Sequence, residues 1–119
     1  MVTTLLPLVW MTELRGYVDA RGRQPFAAWF AELETPAAAR VSTALTRIVL
    51  GNFSNVKGVG AGVLEYKIDF GPGYRIYFGK DGDRLVLLLA GGSKKRQSRD
   101  IEAAKQRWVD YKQRKKLEI

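Results

Sequence analysis

The 119-residue sequence contains neither histidine nor cysteine. Without cysteine the chain has no disulfide framework and no thiolate metal site. Without histidine it lacks the usual general base near neutral pH and the commonest nitrogen ligand for metals. Any chemistry must therefore come from lysine, arginine, tyrosine or carboxylate side chains. We expect neither a metal nor another cofactor.

Long apolar runs are also missing. Residues 1–10 are apolar, but a bilayer span needs roughly 20 such residues, and the segment has no charged start typical of a signal peptide. We therefore predict a cytoplasmic protein with no membrane segment. The length fits a single domain over residues 1–119, with residues 1–11 as a loosely ordered N-terminal extension and residues 117–119 as a tail.

Acidic residues are scarce relative to basic ones, with 12 Asp and Glu against 20 Lys and Arg and a net charge of +8. The imbalance is concentrated at one end of the chain. Between Ser93 and Lys116 ten basic residues face three acidic ones, which accounts for +7 of the total. Such a basic segment indicates a polyanionic partner, nucleic acid first. An acidic protein partner would produce the same pattern.

The most informative stretch runs from Val63 to Gln97 and predicts three consecutive strands. Val63–Phe70 alternates between apolar and polar positions, as a half-buried strand does. Its apolar face comprises Leu64, Tyr66, Ile68 and Phe70, and its polar face Glu65, Lys67 and Asp69. A short loop at Gly71-Pro72-Gly73 follows, then a second alternating strand and a turn at Asp81-Gly82-Asp83. The apolar run Arg84–Ala90 predicts a central strand buried on both faces.

The hairpin register predicts which polar groups share a sheet face. The second strand, from Tyr74 to Phe78, turns Arg75 and Tyr77 outward. If Phe70 lies opposite Tyr74, then Asp69 faces Arg75 and Lys67 faces Tyr77. The outward face would then carry Glu65, Lys67, Asp69, Arg75 and Tyr77 together.

Helical periodicity marks three further segments. One helix begins at Pro25, a second begins at Thr35-Pro36 and ends at Gly51-Asn52, and a last one spans Asp100–Lys115, with an earlier strand at Glu13–Ala20. Residues 52–62 are rich in glycine and predict a loop. The inner face of the last helix comprises Ile101, Ala104, Trp108 and Tyr111. The predicted fold is α+β: a strand, two helices, a three-stranded antiparallel meander and a C-terminal helix, with the helices on one face of a twisted antiparallel sheet.

Cleavage of RNA by its own 2′-hydroxyl needs a base, a proton donor for the 5′-oxygen, and cations that stabilise the charged phosphorane. Lysine, arginine and tyrosine supply the last two, and a lysine among cationic neighbours can supply the first. This route needs no metal. The catalytic candidates are Lys67, Arg75, Tyr77, Lys94 and Lys95. The RNA-binding candidates are Lys57, Arg96, Arg99, Lys112, Arg114, Lys115 and Lys116.

A family resemblance is carried by the runs GVLEYKIDFGPGYRIYF and LLLAGGSKK, together with the upstream pattern PF--WF--L. From about Tyr17 to Tyr111 the chain resembles the RelE/ParE superfamily of toxins from type II toxin–antitoxin modules, and within it the HigB-like addiction-module killer proteins. The resemblance implies a RelE-like fold with a concave basic sheet face. It also implies cleavage of messenger RNA on the ribosome, and a cognate antitoxin that is usually a helix-turn-helix protein.

The resemblance extends to individual residues. Lys67 matches the basic position of the family's second strand, Arg75 the arginine of its GYR segment, and Lys94 and Lys95 the basic pair after its last strand. Some members also have a tyrosine or histidine near the start of the last helix as the acid–base residue. Here Asp100 and Ile101 occupy that region, which leaves the general acid open, with Tyr77 or Tyr74 as substitutes.

Two other functions stay open at this point. ParE-type members of the superfamily inhibit DNA gyrase without being enzymes. A basic nucleic-acid-binding module without activity would show the same charge. A charged sheet face also occurs simply as a solvated surface, and basic tails simply as an aid to solubility.

Overall fold

The computed structural model describes residues 12–118. The strands are β1 (Glu13–Gly16), β2 (Val56–Gly60), β3 (Val63–Ile68), β4 (Tyr74–Asp81) and β5 (Leu85–Ser93), and the helices are α1 (Pro25–Ala31), α2 (Thr35–Val49) and α3 (Gln97–Leu117). A 3-10 turn over Lys94–Arg96 joins β5 to α3. The predicted extension over residues 1–11 lies outside the described residues. No helix within residues 12–118 combines the length and apolarity needed to cross a membrane.

The five strands form one sheet in the order β1-β5-β4-β3-β2. Strands β2 to β5 are antiparallel neighbours, whereas β1 pairs with β5 in parallel. The α+β class is confirmed, but the expectation of a purely antiparallel sheet is wrong. The predicted strand Glu13–Ala20 is also shorter than expected. A last hydrogen bond to β5 runs from the N–H of Tyr17 to the carbonyl of Leu88, and the chain then turns between Asp19 and Arg23, where the N–H of Asp19 bonds to the carbonyl of Arg23.

The helices lie on both faces of the sheet, so the predicted placement on one face is wrong. Helices α1 and α2 cover the face that presents Tyr66, Ile76 and Phe78. Helix α3 covers the opposite face, where Tyr77, Leu87 and Leu89 pack against Ala104 and Trp108. Alternation along β4 and β5 supplies apolar side chains to both faces, as strands covered on both sides require.

The predicted loop over residues 52–62 contains β2, so that prediction is wrong. Lys57 pairs with Glu65 and Gly58 with Leu64 of β3. The register shifts between Gly58 and Gly60, where Gly60 has a positive φ of 106° that glycine adopts readily. This segment has no marked apolar pattern of its own. It is a strand because it pairs with β3.

The β3–β4 hairpin differs from the prediction by two residues. Ile68 lies opposite Tyr74 and Lys67 opposite Arg75, whereas Lys67 was expected to face Tyr77. The connection is longer than three residues because the chain makes tight turns at Phe70 and Gly73 before β4 begins, and Gly73 has a φ of 78°. A shift of two residues leaves every side chain on its predicted face.

Candidate active site

The candidate site lies where β3, β4 and the 3-10 turn meet. The backbone carbonyl of Gly73 connects two of these elements. That oxygen accepts a hydrogen bond from Nη1 of Arg75 (2.8 Å) and another from the backbone N–H of Lys94 (2.9 Å). The Arg75 guanidinium and the start of the basic turn are therefore fixed to one acceptor. Because Lys67 is the cross-strand partner of Arg75, the structure brings Lys67, Arg75 and Lys94 together.

Arg75 is far less exposed than an outward-facing strand residue was expected to be. Its side chain is only 6% exposed, because α3 covers this face of the sheet. The buried Nε atom has no hydrogen-bond partner among the described residues, although it lies 3.8 Å from a carboxylate oxygen of Glu65. The Nε edge of the guanidinium therefore faces Glu65 and is closed to solvent, and Nη1 is bound to Gly73. Nη2 makes no hydrogen bond within the described residues and is the donor left to contact an anion.

Glu65 is the buried acidic partner of this cluster, with 1% of its surface exposed. Gln97, the first residue of α3, donates a hydrogen bond from Nε2 to Oε2 of Glu65 at 2.8 Å. Lys57 on β2 approaches Oε1 of the same carboxylate at 3.8 Å. Glu65 thus connects β2, β4 and α3. The sequence does not predict the contacts of Glu65 with Gln97, Lys57 and Arg75. In the sequence Glu65 is one of several polar residues on a strand face that was expected to be exposed.

Tyr77 lies beside this cluster but under α3, with none of its surface exposed. Burial, reinforced by the neighbouring Glu65 carboxylate, holds the pKa of Tyr77 well above its usual value. Its hydroxyl makes no hydrogen bond within residues 12–118. A phenol in this position does not reach a phosphate bound at the surface, so the geometry counts against Tyr77 as the proton donor.

Asp100 stands near the start of α3, in the region where a family acid–base residue was expected. Its carboxylate packs against Gly92 of β5, where even a methyl group would collide with Oδ2. Oδ2 is buried and has no hydrogen-bond partner in the described chain. Burial raises the pKa of Asp100, and the positive charges of Arg96, Arg107 and Arg99 offset part of this effect.

We predict that Asp100→Asn stabilises the protein at neutral pH by about 0.5–1 kcal/mol, allowing for partial solvent screening. A carboxyl whose folded-state pKa is raised contributes stability below the unfolded pKa and loses it as pH rises through the folded value. The difference between variant and wild type should therefore shrink towards pH 3. Urea unfolding at pH 3–7 measures it, with Glu102→Gln, an exposed position of the same helix, as the control. A less stable Asp100→Asn protein at pH 7 would contradict the assignment.

The remaining basic candidates divide by their place on α3. A groove of about 530 Å³ is lined by residues 94–99, so Lys95, Arg96 and Arg99 lie next to the candidate site. Lys112, Arg114, Lys115 and Lys116 lie near the other end of this 21-residue helix, about 25 Å away at 1.5 Å per residue. Arg114 is bound to Asp110 (2.7 Å) and Lys115 to Asp81 (2.6 Å). The structure does not bring this second group to the site.

The acidic side chains of the described residues form no cluster of three or more that would hold a metal ion. The groups that do meet at the site are the Arg75 guanidinium and the lysines Lys67 and Lys94, which supply positive charge and N–H donors. Such a group of donors suits the stabilisation of a phosphate that gains negative charge during a reaction.

No known family model matches the chain. A Haemophilus influenzae protein described as uncharacterized is 40% identical to it over 81 residues. The matched segment covers 67% of this chain and 82% of the relative.

Proposed function

We propose that this chain, which belongs to the same family as the Haemophilus influenzae protein, is the toxin of a type II toxin–antitoxin module. In this proposal it cleaves messenger RNA on the ribosome without a metal. The observation that carries the proposal is the shared Gly73 carbonyl, which fixes Arg75 beside Lys94. The resemblance to HigB-like proteins supplies the class of partner, an antitoxin of the helix-turn-helix type, and the ribosome as the place of action.

The proposed reaction is attack of a ribose 2′-oxygen on the adjacent phosphorus. The 2′-hydroxyl proton goes to a base, the bond to the 5′-oxygen breaks, and that oxygen receives a proton. The products are a 2′,3′-cyclic phosphate and a free 5′-hydroxyl, so no outside nucleophile is consumed. Arg75 stabilises the extra charge on the phosphorane, and the amines of Lys67 and Lys94 are the groups placed to move protons.

Rigidity of the cationic group supports this assignment over a solvated surface. The Arg75 guanidinium is held by the Gly73 carbonyl and lies on β4, the middle strand of the sheet, and the backbone of Lys94 is bound to the same carbonyl. Charges held in place before the reaction stabilise a transition state better than flexible surface lysines do, because little reorganisation is needed. An enzyme benefits from such order, whereas a module that only binds RNA does not need it.

Expression of this chain alone should arrest growth, and co-expression with the adjacent gene should restore it. RNA ends mapped in the arrested cells should show new 5′-hydroxyl termini within translated messages. An Arg75→Ala protein at equal abundance is the control, and we expect it to leave growth and RNA ends unchanged. Growth arrest with intact messages and blocked gyrase activity would replace the proposal by gyrase inhibition, and harmless expression of the intact protein would refute the toxin assignment.

A further inference from the structure

Two grooves meet at the end of β3. One, of about 410 Å³, lies on the sheet beside the candidate site and is lined in part by Lys57 and Glu65. The other, of about 250 Å³, runs along α2 and is lined in part by Arg40 and Arg47. The two grooves share Asn55, Lys67 and Asp69. The two grooves therefore adjoin at these three residues, one groove on the sheet and the other beside the helix on its opposite face. Together they are called the depression below.

The grooves adjoin at the point where β2 ends and β3 continues. Val56, the first residue of β2, pairs with Tyr66, and the N–H of Lys67 makes a last hydrogen bond to the carbonyl of Asn55 (3.2 Å). Beyond this point β3 has no strand partner on that side within the described residues. The uncovered edge around Asp69 is the passage between the two faces.

Unneutralised positive charge lines the helical part of the depression. Helix α2 contains no acidic residue along its whole length. Arg40 and Arg47 are exposed, and neither forms an ion pair within residues 12–118. They are seven positions apart on α2, two turns or about 10 Å along the axis. By contrast, Arg114 and Lys115 of α3 are already paired with carboxylates.

Arg40 is also held in a defined orientation. Its guanidinium lies 4.5 Å from the centre of the Phe70 ring. A guanidinium stacked on an aromatic ring keeps its N–H donors directed outward along its edge, where they remain free for a phosphate. This contact attaches Arg40 of α2 to Phe70, in the loop that follows β3. Lys67 of the candidate site therefore lies only three positions before the ring that holds Arg40.

We infer that single-stranded RNA leaving the candidate cleavage site passes around the open edge of β3 and lies along α2, with phosphates at Arg40 and Arg47. The choice of RNA depends on the proposed function, because Lys67 belongs both to that site and to the shared part of the depression. Asp69 is the acidic residue that both grooves share, and its negative charge repels RNA phosphates at that point. Its charge limits how tightly the departing strand is held.

The test is equilibrium binding of fluorescein-labelled oligouridylates of three and twelve nucleotides, with every protein carrying Arg75→Ala so that cleavage is suppressed. Arg40→Gln/Arg47→Gln should weaken binding of the twelve-nucleotide RNA about tenfold and reduce the slope against log salt by about 1.4, the value for two lost contacts on a single strand. Binding of the three-nucleotide RNA should not change. Asp69→Asn should tighten binding of the longer RNA.

The matched control is Arg21→Gln/Arg84→Gln, which removes the same charge from two exposed arginines near the β1 edge of the sheet. An equal loss of affinity for the twelve-nucleotide RNA in this control would mean that the arginines act only through general electrostatic attraction. That result would refute the proposed RNA path. Unchanged binding in the α2 variant, with its melting temperature preserved, would also overturn it. Arg47→Gln alone, whose side chain makes no hydrogen bond within the described residues, guards against a folding defect.

Polyglutamate of twelve residues serves as the competing polyanion. If it displaces RNA at lower concentration than unlabelled RNA does, the groove fits an acidic protein and the RNA path is wrong. If the wild-type protein causes no RNA cleavage in cells but the Arg75→Ala proteins show the expected dependence on RNA length and charge, the path is supported and only the proposed function is refuted. If the wild-type protein cleaves RNA in cells and that dependence is missing, only the path is refuted.

Discussion

Replacing Arg75 by alanine should lower the rate of messenger RNA cleavage by about two orders of magnitude or more, because one preorganised charge donor is typically worth that much. Arg75 is the most enclosed cation of the site, held by the Gly73 carbonyl and by Glu65. Its loss leaves the phosphorane without the fixed guanidinium, and no neighbouring lysine on a flexible stem reproduces a planar fork. Initial rates in a purified translation system measure the effect.

The control for this experiment is Arg107→Ala. Arg107 lies on α3 over the same sheet and donates a hydrogen bond to the carbonyl of Leu89 at 2.8 Å, so it matches Arg75 in type and in its backbone contact. We expect its cleavage rate to stay within a few-fold of the wild type. A folded Arg75→Ala protein that cleaves at nearly the wild-type rate would remove Arg75 from the catalytic group.

Replacing Trp108 by alanine should lower the free energy of unfolding by about 3–5 kcal/mol, the usual cost of deleting a large buried aromatic side chain. Trp108 is 5% exposed, and its ring lies directly over Gly79 of β4, leaving no room there for a methyl group. It also stacks on Tyr111 with 5.5 Å between ring centres. These contacts attach α3 to the sheet, so their loss is a large share of the roughly 5–15 kcal/mol that stabilises a domain.

Urea unfolding followed by circular dichroism measures this loss. Val109→Ala is the control, since Val109 is the next residue of α3 and is 45% exposed; we expect a change within about 0.5 kcal/mol. Trp108→Phe keeps an aromatic ring against Gly79 and should fall between the two. If Trp108→Ala unfolds at nearly the wild-type urea concentration, α3 is held by other contacts.

Local patterns in the sequence were sufficient where periodicity and turn residues agree. The alternation around Tyr66 and Ile68 predicted β3 and its core face, and the helix starts at Pro25 and Thr35 are confirmed. The sequence did not predict the register of the β3–β4 hairpin correctly. The shift that places Lys67 opposite Arg75 depends on how the chain folds between Phe70 and Gly73, which residue types alone do not determine.

The sequence could not show that β2 pairs with β3, or that a helix covers the polar face of the sheet. Strand β2 has glycines where a strand usually has branched side chains, and it exists because β3 offers it hydrogen bonds. A polar row such as Glu65, Arg75 and Tyr77 looks the same whether solvent or a helix covers it. Only the packing of Trp108 over Gly79 shows that α3 closes this face.

The candidate site was predicted in part. The strand pattern and the family resemblance indicate Lys67, Arg75 and Lys94. In the structure Lys67 is the cross-strand partner of Arg75, and Arg75 shares the Gly73 carbonyl with the backbone of Lys94. Their catalytic role stays a prediction. The contact of Gln97 with Glu65 was missed because the two residues are 32 positions apart. Arg40 and Arg47 were missed although their spacing of seven on a helix without acidic residues was a visible signal.

The parallel pairing of β1 with β5 has a kinetic consequence. Strands β2, β3 and β4 each pair with the next strand along the chain, whereas Glu13 of β1 pairs with Leu85 of β5. Forming that pair closes a loop of about 70 residues, whose entropic cost must be met before its contacts stabilise the chain. We therefore expect the β2–β5 meander to assemble first and β1 to dock after it. The β1 edge is then the last part of the sheet to form during folding and the first to separate when the protein unfolds.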